Sequence, residues 1–348
     1  MKTSKNLFTS ITTFDNVLSA AGKAAKGKHE NRSVLRFYNH FEENIWQIIG
    51  ELKSKTWQPG SYKTFRIYKP KPRVISAAPF KDRVVHHALM AVICPLLERS
   101  FIFDTYANRI AKGTHKAIER YQYFLGKHAF VLKCDIQKYF PSIDHEILKS
   151  LLRKKIACAD TLWLIDFIID NSNAQDEQLS YFPGDTLFTP HERRKGLPIG
   201  NLTSQWFANY YLSFLDHFVK ERLHCKGYVR YVDDFVLFSD SKKELWRWKR
   251  AIEAFLLDFR LLLNEKRTEL YPATEGKCFL GQKVFRSYRL LPAENVRRAK
   301  KRIQHLLLAE PETMQQSLAG WIGHAHQADT GNLLRSLGLT PEKIIDVI

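Results

Sequence analysis

The stretch GYVRYVDDFVLFSD, Gly227 to Asp240, sets two acids, Asp233 and Asp234, side by side inside a run of apolar, β-branched and aromatic residues. Such a run reads as a buried strand pair, with the acids at its turn. Neighbours in a strand point to opposite faces, and two adjacent carboxylates cannot both be buried cheaply without cations. A hairpin tip solves the geometry, because one acid faces a cleft and the other lies beside it. Metal ions solve the charge: hard Mg²⁺ takes oxygen ligands and shares them with substrate phosphates. On the dipeptide alone, a solvated Asp-Asp turn is the commoner explanation.

A second acid shifts that balance. In LKCDIQKYFPSIDH, Leu132 to His145, Asp135 closes an apolar strand with no acid beside it. Two strands that end in carboxylates can hold two cations roughly 3.5–4 Å apart, the arrangement used for in-line phosphoryl transfer. The pairing of D-x-x-x-[FY]-F-P-S-I with Y-V-D-D, about 100 residues downstream, is far more specific than either piece.

Composition points to the partner. The 348 residues carry 54 Lys+Arg against 36 Asp+Glu, a net charge of +18. An enzyme of small metabolites has no need of such a field. A polyanion does, because cationic surface attracts phosphate and gains from counterion release. Nucleic acid therefore leads, ahead of an anionic membrane surface, for which no basic amphipathic anchor stands out. The N-terminal MKTSKNLFTSITTFDNVLSA lacks the apolar core of a signal peptide. The longest apolar run, Ala88 to Leu97, contains Pro95 and is too short to span a bilayer. Cys94, Cys134, Cys158, Cys225 and Cys278 are scattered without a C-x-x-C, which reads as reduced thiols in a cytoplasm.

Periodicity outlines the elements. Residues 1–60 read as helical and basic, with Leu35, Tyr38, Phe41, Ile45 and Ile48 spaced as one helical face. YKTFRIYKPKPRVISAAP reads as a basic hairpin, and KDRVVHHALMAVICPLLERSF as a helix. AFVLKCDIQKYFPSIDHEIL reads as a strand, a turn at Pro141 and a helix. Residues 171–195 read as loop or hairpin, and Thr203–Arg222 as a strong helix. The hairpin Arg230–Ser239 is followed by a helix around Glu244–Phe259, short strands through CFLGQKVF, and a basic helical region from about 286.

In this order the motifs resemble reverse transcriptases of the group II intron and retroelement lineage, over residues 60–290. KPRVISAAPFKDRVVHHAL is similar to the fingers motif, DIQKYFPSIDH to the first catalytic motif, and GLPIGNLTSQWFANYYLSFLDHFV to the fingers–palm helix. YVDD is similar to the second catalytic motif, and LNEKRTEL and CFLGQKVF to the palm motif and primer grip that follow. The resemblance implies an α+β right-hand polymerase fold. Its expected parts are an N-terminal helical extension over 1–60, fingers over 61–130 and 166–205, a palm with an antiparallel sheet over 131–165 and 206–285, and a helical thumb over 286–348. It implies an RNA-directed DNA polymerase using two Mg²⁺ ions, with Mn²⁺ as a substitute. Asp135, Asp233 and Asp234 are then the catalytic carboxylates, and Ile136 joins them in the metal set.

One motif narrows the resemblance. Most of these enzymes carry glutamine before the helix motif's glycine and end the motif in Ser-Pro. Here Ile199 precedes Gly200, and the motif ends in Ser204-Gln205. That pattern, and the thumb-like SLAGWIGHAHQADTGNLLRSL, resemble reverse transcriptases of diversity-generating retroelements. Such proteins are bacterial or phage-encoded and copy a template RNA into error-prone cDNA for mutagenic retrohoming. They work with deoxynucleoside triphosphates and a small basic accessory variability protein.

The same resemblance assigns further roles. Phe140 becomes the steric gate under the sugar, where the bland alternative is a core aromatic, and Lys138 and Tyr139 join it at the nucleotide. Tyr231 and Val232 lie along the nascent pair and primer end. Arg73 suits a triphosphate, with Arg66, Lys69 and Lys71 as neighbours that could share the task. Lys266 and Arg267 compete for the palm residue that protonates pyrophosphate. Gly281 sits at the primer grip, where bare backbone approaches a strand. Ile199 and Gly200 border the nucleotide, and isoleucine has no donor or acceptor there. The pairs His86-His87 and His324/His326 lack a completing Cys or acid and read as structural. Arg297, Arg298, Lys300, Lys301 and Arg302 would track phosphates. Two alternatives stand beside this reading: a group II intron or retron polymerase, and an inactive RNA-binding relative.

Overall fold

A computed structural model describes residues 6–68, 72–172, 180–306 and 311–337. Lys69 and Lys71 lie outside the described residues, as do parts of the 171–195 loop and of the expected thumb. The strands are β1 Lys63–Ile67, β2 Arg73–Ala77, β3 Phe130–Cys134, β4 Gly227–Tyr231, β5 Asp234–Ser239, β6 Glu269–Pro272, β7 Lys277–Phe279, β8 Gln282–Val284 and β9 Arg289–Leu290. The chain forms two compact units. One comprises residues 1–103, 135–222 and 250–265; the other comprises 104–134, 223–249 and 266–348.

The first unit is mainly helical. Its central helix, Phe80–Glu98, buries Val84, Val85, Ala88, Leu89, Ile93 and Leu97. Helix Phe14–Ala25 lies along it, and the small Ala20, Ala21, Ala24 and Ala25 are buried. Asn16 Nδ2 donates to Ala88 O at 3.0 Å across the pair. Burial beside His87 pushes the His86 pKa down to about 3, so this histidine is a neutral core residue. The basic hairpin forms as expected, β1 antiparallel to β2 with Phe65 opposite Ile75.

The stripe of Leu35, Tyr38, Phe41, Ile45 and Ile48 is not one helix. Helices Arg32–Asn39 and Phe41–Lys53 meet at His40, whose φ of −127° and ψ of 52° are non-helical. Asn44 Nδ2 satisfies the Phe37 carbonyl at 2.9 Å where the first helix stops. The buried face is Val34, Phe37, Ile45, Ile48, Ile49 and Leu52, while Leu35 is 51% exposed. A uniform helical spacing cannot register such a break. The Thr203–Arg222 helix likewise divides into Leu202–Tyr211, Ser213–His217 and a π-turn at Phe218–Arg222. Phe218 stacks on Phe255 there at 4.4 Å.

The second unit is built on an antiparallel sheet of order β4-β5-β3-β6. Cys134 faces Phe235 across β3 and β5, and Val131 faces Tyr271 across β3 and β6. Helix Thr114–Lys127 brings Tyr121, Phe124 and Leu125 into one core with Phe238, Tyr271 and Phe279. The Tyr121 and Phe279 rings stack at 4.5 Å. A second antiparallel sheet, β7-β8-β9, precedes C-terminal helices whose core includes Leu291, Ile303, Leu318, Ile322 and Leu334. Among the described residues no helix is long and apolar enough to cross a membrane.

At the centre of that core the Tyr121 and Tyr271 hydroxyls are hydrogen-bonded at 2.8 Å. Tyr271→Phe strands the Tyr121 hydroxyl in an apolar site, so urea unfolding should show a loss of about 1–3 kcal/mol. The double variant with Tyr121→Phe should recover part of it. An unchanged midpoint for the single variant would contradict this packing.

Candidate active site

The β4–β5 hairpin turns in two residues. Tyr231 pairs with Asp234, so Val232 and Asp233 form the tip. Only one of the two acids is on the turn; Asp234 is the first residue of β5, a refinement that alternation alone did not supply. Val232 has φ +58°, a left-handed conformation that a β-branched side chain adopts only under strain. Arg230, fully buried, donates from Nη1 to the Val232 carbonyl at 2.8 Å and so braces the turn from beneath. The Arg230 backbone is held by the Asp104 carbonyl and the Tyr106 amide, both at 3.0 Å. Tyr231 meets Thr114 hydroxyl to hydroxyl at 3.1 Å.

Asp135 is bonded directly to Cys134, the last residue of β3, and is only 5% exposed. The segment after it is clasped by Leu262–Asn264. The Asn264 amide donates to the Asp135 carbonyl at 2.8 Å, and the Gln137 amide donates to Leu262 at 2.9 Å. This bridge sets Ile136 against Leu263 and turns the Ile136 carbonyl away from that segment. Asn264 Nδ2 also donates to Asp135 Oδ2 at 3.0 Å, which orients the carboxylate.

Residues assigned to the nucleotide share one backbone path within the first unit. Lys138 is exposed and left-handed, with φ +46° and ψ +50°. Tyr139 is buried, and its hydroxyl donates to the Ala208 carbonyl. Phe140 is half-buried beside it, edge-on to Tyr139, and its carbonyl accepts from the Leu197 amide at 2.9 Å. Two residues on, the Ile199 carbonyl accepts from the Ser76 amide at 3.0 Å. Gly200 has φ +126°, and a Cβ there would sit 3.1 Å from the Ser76 carbonyl, so glycine allows β2 to lie on this loop. Arg73 opens the same strand and is exposed, as is Arg66 on β1.

Elsewhere Lys266 and Arg267 are both exposed, and neither is distinguished from the other. Gly281 (φ +87°) and Leu280 (φ +47°) form the β7–β8 turn. His324 packs on that turn, with Nε2 3.1 Å from where a Gly281 Cβ would be, and its ring stacks on His115. The basic run Arg297–Arg302 lies mostly exposed on helix Ala293–Leu306. No group of three or more His, Cys, Asp or Glu poised for a metal occurs among the described residues.

Two supporting residues escaped sequence reasoning. Arg230 reads as one more member of a strand, and only its complete burial marks it. Asn264 sits inside the quoted LNEKRTEL, but its partner Asp135 lies 129 residues away.

Comparison with known proteins gives the family. Residues 62–284, well over half of the chain, match the family described as reverse transcriptase (RNA-dependent DNA polymerase). The group II intron-encoded protein LtrA of Lactococcus lactis subsp. cremoris is 25% identical over 337 residues, covering 78% of this chain and 54% of its own. Protein YkfC of Escherichia coli (strain K12) is 23% identical over 311 residues, covering 76% of this chain and 78% of its own. The chain thus spans about half the length of LtrA. Among solved structures, telomerase from Candida albicans, in complex with a fragment of telomeric RNA, gives a TM-score of 0.46 at 13% identity. That match covers 73% of this chain and 52% of the other. Apo telomerase from Candida tropicalis gives 0.44 at 13%, covering 71% and 52%. On the match over residues 62–284, the chain belongs to the reverse transcriptase family.

Proposed function

We propose that this chain is an RNA-directed DNA polymerase, and that it serves a diversity-generating retroelement. The observation that carries the polymerase reading is the β3–β5 register. Asp135 continues directly from Cys134, Cys134 faces Phe235, and Phe235 follows Asp233-Asp234. Asp135, Asp233 and Asp234 are the catalytic carboxylates in this reading, with the Ile136 carbonyl beside them. The donors are all hard oxygens, which suits Mg²⁺; that ion takes one or two carboxylates, keeps waters and completes its shell with substrate phosphates. Bound there, two such ions would lower the pKa of a primer 3′-hydroxyl and offset the charge on leaving pyrophosphate. Mn²⁺ would serve in their place.

The chain's own residues do the positioning. Asn264 fixes the Asp135 carboxylate, and Arg230 fixes the turn that presents Asp233. Phe140, tied to Leu197, lies under the incoming sugar, and Lys138, Tyr139, Ile199 and Gly200 border the nucleotide. Arg73 reaches the triphosphate, Lys266 or Arg267 protonates pyrophosphate, and Tyr231, Val232 and Gly281 face primer and template. The right-hand layout, with fingers, palm and a helical thumb in the expected order, belongs to the same reading.

The retroelement assignment rests on Ile199 before Gly200 and on Ser204-Gln205. It brings with it a template RNA, error-prone cDNA, a basic accessory variability protein and a cytoplasmic setting. Likeness to LtrA favours a second reading, a group II intron-type polymerase with the same chemistry.

Three measurements test these roles. Asp135→Ala or Asp233→Ala should abolish Mg²⁺-dependent primer extension on RNA while RNA binding persists; near-normal extension by either removes the two-metal assignment. Phe140→Ala should raise ribonucleotide incorporation relative to deoxyribonucleotide, and unchanged sugar selectivity would make Phe140 a core residue only. Ile199→Gln should lower misincorporation opposite template adenine by roughly one to two orders of magnitude, since a regained polar contact is worth about 1–3 kcal/mol. An unchanged error spectrum in sequenced cDNA would sink the fidelity role.

A further inference from the structure

Within the first unit, the β1–β2 hairpin is held at its base from both ends. At its exit, the Ser76 amide donates to the Ile199 carbonyl at 3.0 Å, and Gly200 lets the strand lie close. At its entry, the buried Asp82 carboxylate accepts from the Gly60 amide at 2.8 Å. A Cβ on Gly60 would sit 2.8 Å from Pro79 Cγ, so glycine lets entry and exit meet. A further tie joins the entry to the Ile199 loop. Asn201 Nδ2 donates to the Tyr62 hydroxyl at 2.9 Å, across 139 residues of chain.

Local structure does not account for the way Asn201 is turned. It stands at the N-cap of helix Leu202–Tyr211, where an asparagine side chain normally accepts from a backbone amide of the first turn. Here it makes no capping bond. The residue is buried, and its Oδ1 has no hydrogen-bond partner among the described residues. A buried amide with one end unmet lowers stability. Asn201 therefore forgoes a cap and leaves an oxygen unpaired in order to reach Tyr62. In the polymerase reading, what this contact joins is functional. Ile199 and Gly200, just before Asn201, border the nucleotide, and Arg73, on the hairpin that Tyr62 leads into, reaches the triphosphate.

We propose that Tyr62 and Asn201 are positioning residues for the incoming nucleotide, their hydrogen bond holding the hairpin that carries Arg73 against the loop that carries Ile199. Neither side chain touches the nucleotide. The pair fixes the grip on the triphosphate relative to the wall beside the sugar and base, and so rests on the polymerase reading. The test is single-nucleotide primer extension on RNA by the full chain, with Tyr62→Phe, Asn201→Ala and the double variant. Each single variant should raise the KM for the deoxynucleoside triphosphate about three- to tenfold, the range one hydrogen bond supplies, with kcat within about twofold. The double variant should match either single one, because all three remove the same contact. Without nucleotide, Tyr62→Phe should speed hydrogen exchange in Lys63–Ile67 and Arg73–Ala77 and leave Leu202–Tyr211 unchanged. Tyr62→Phe keeps the ring and removes one hydroxyl, so it reads the contact even if Asn201→Ala fails to fold. An unchanged KM, a loss confined to kcat, additive effects in the double variant or unchanged exchange in the hairpin would overturn the proposal and leave the polymerase reading standing. Absence of extension by the unaltered chain would remove that reading and this proposal with it.

Discussion

The pairing of Cys134 with Phe235 is the constraint on which the functional reading depends. Side chains alternate along a strand, so a slip of one residue would send every side chain of β3 to the other face and carry Asp135 with it. Burial prevents the slip. Val131, Leu132, Val236, Leu237 and Phe238 are all buried, so both strands are held on both faces. The separate β4–β5 register, with Tyr231 opposite Asp234, makes that connection a two-residue turn whose first residue takes a positive φ. Glycine would do so freely; Val232 does so at a cost of about 1–3 kcal/mol. The Arg230 hydrogen bond and the buried sheet over-determine the turn and so offset that strain.

Much of this was legible in the sequence. The strand before Asp135, the basic hairpin and the hairpin around YVDD follow from local period and turn chemistry, whereas Pro141, read as a turn, lies in the short helix Tyr139–Ser142. The polymerase motifs follow from their order, and the family match covers the region that carries them. What was not legible is what distance in the chain conceals. Leu35 and Tyr38 keep helical spacing with Phe41, yet the break at His40 turns the first helix so that Val34 and Phe37 face inward. Asp234 looks like a turn residue beside Asp233, but its backbone belongs to β5. Asn264 and Arg193 are ordinary polar residues until partners far along the chain reach them.

Charge follows the same logic. The net +18 is not spread evenly through the fold. Buried cations are matched: Lys149 meets Asp170 at 2.6 Å and Glu146 at 2.9 Å, and Arg193 lies between Asp144 and Asp185. Unmatched burial would be too costly to tolerate. The surplus therefore lies outside, on the hairpin with Arg66 and Arg73 and on the run from Arg297 to Arg302, where a polyanion can neutralise it.

Cleavage mapping with Fe²⁺ in place of Mg²⁺ tests most directly whether the carboxylates act as one site. Hydroxyl radicals generated at the bound ion cut the nearest backbone, so the result reads location and not activity. Asp135, Asp233 and Asp234 acting together predict two cut regions, one beside Asp135 and one at Val232–Asp234, both suppressed by excess Mg²⁺. A single cut region, or cuts confined to other parts of the chain, would contradict it.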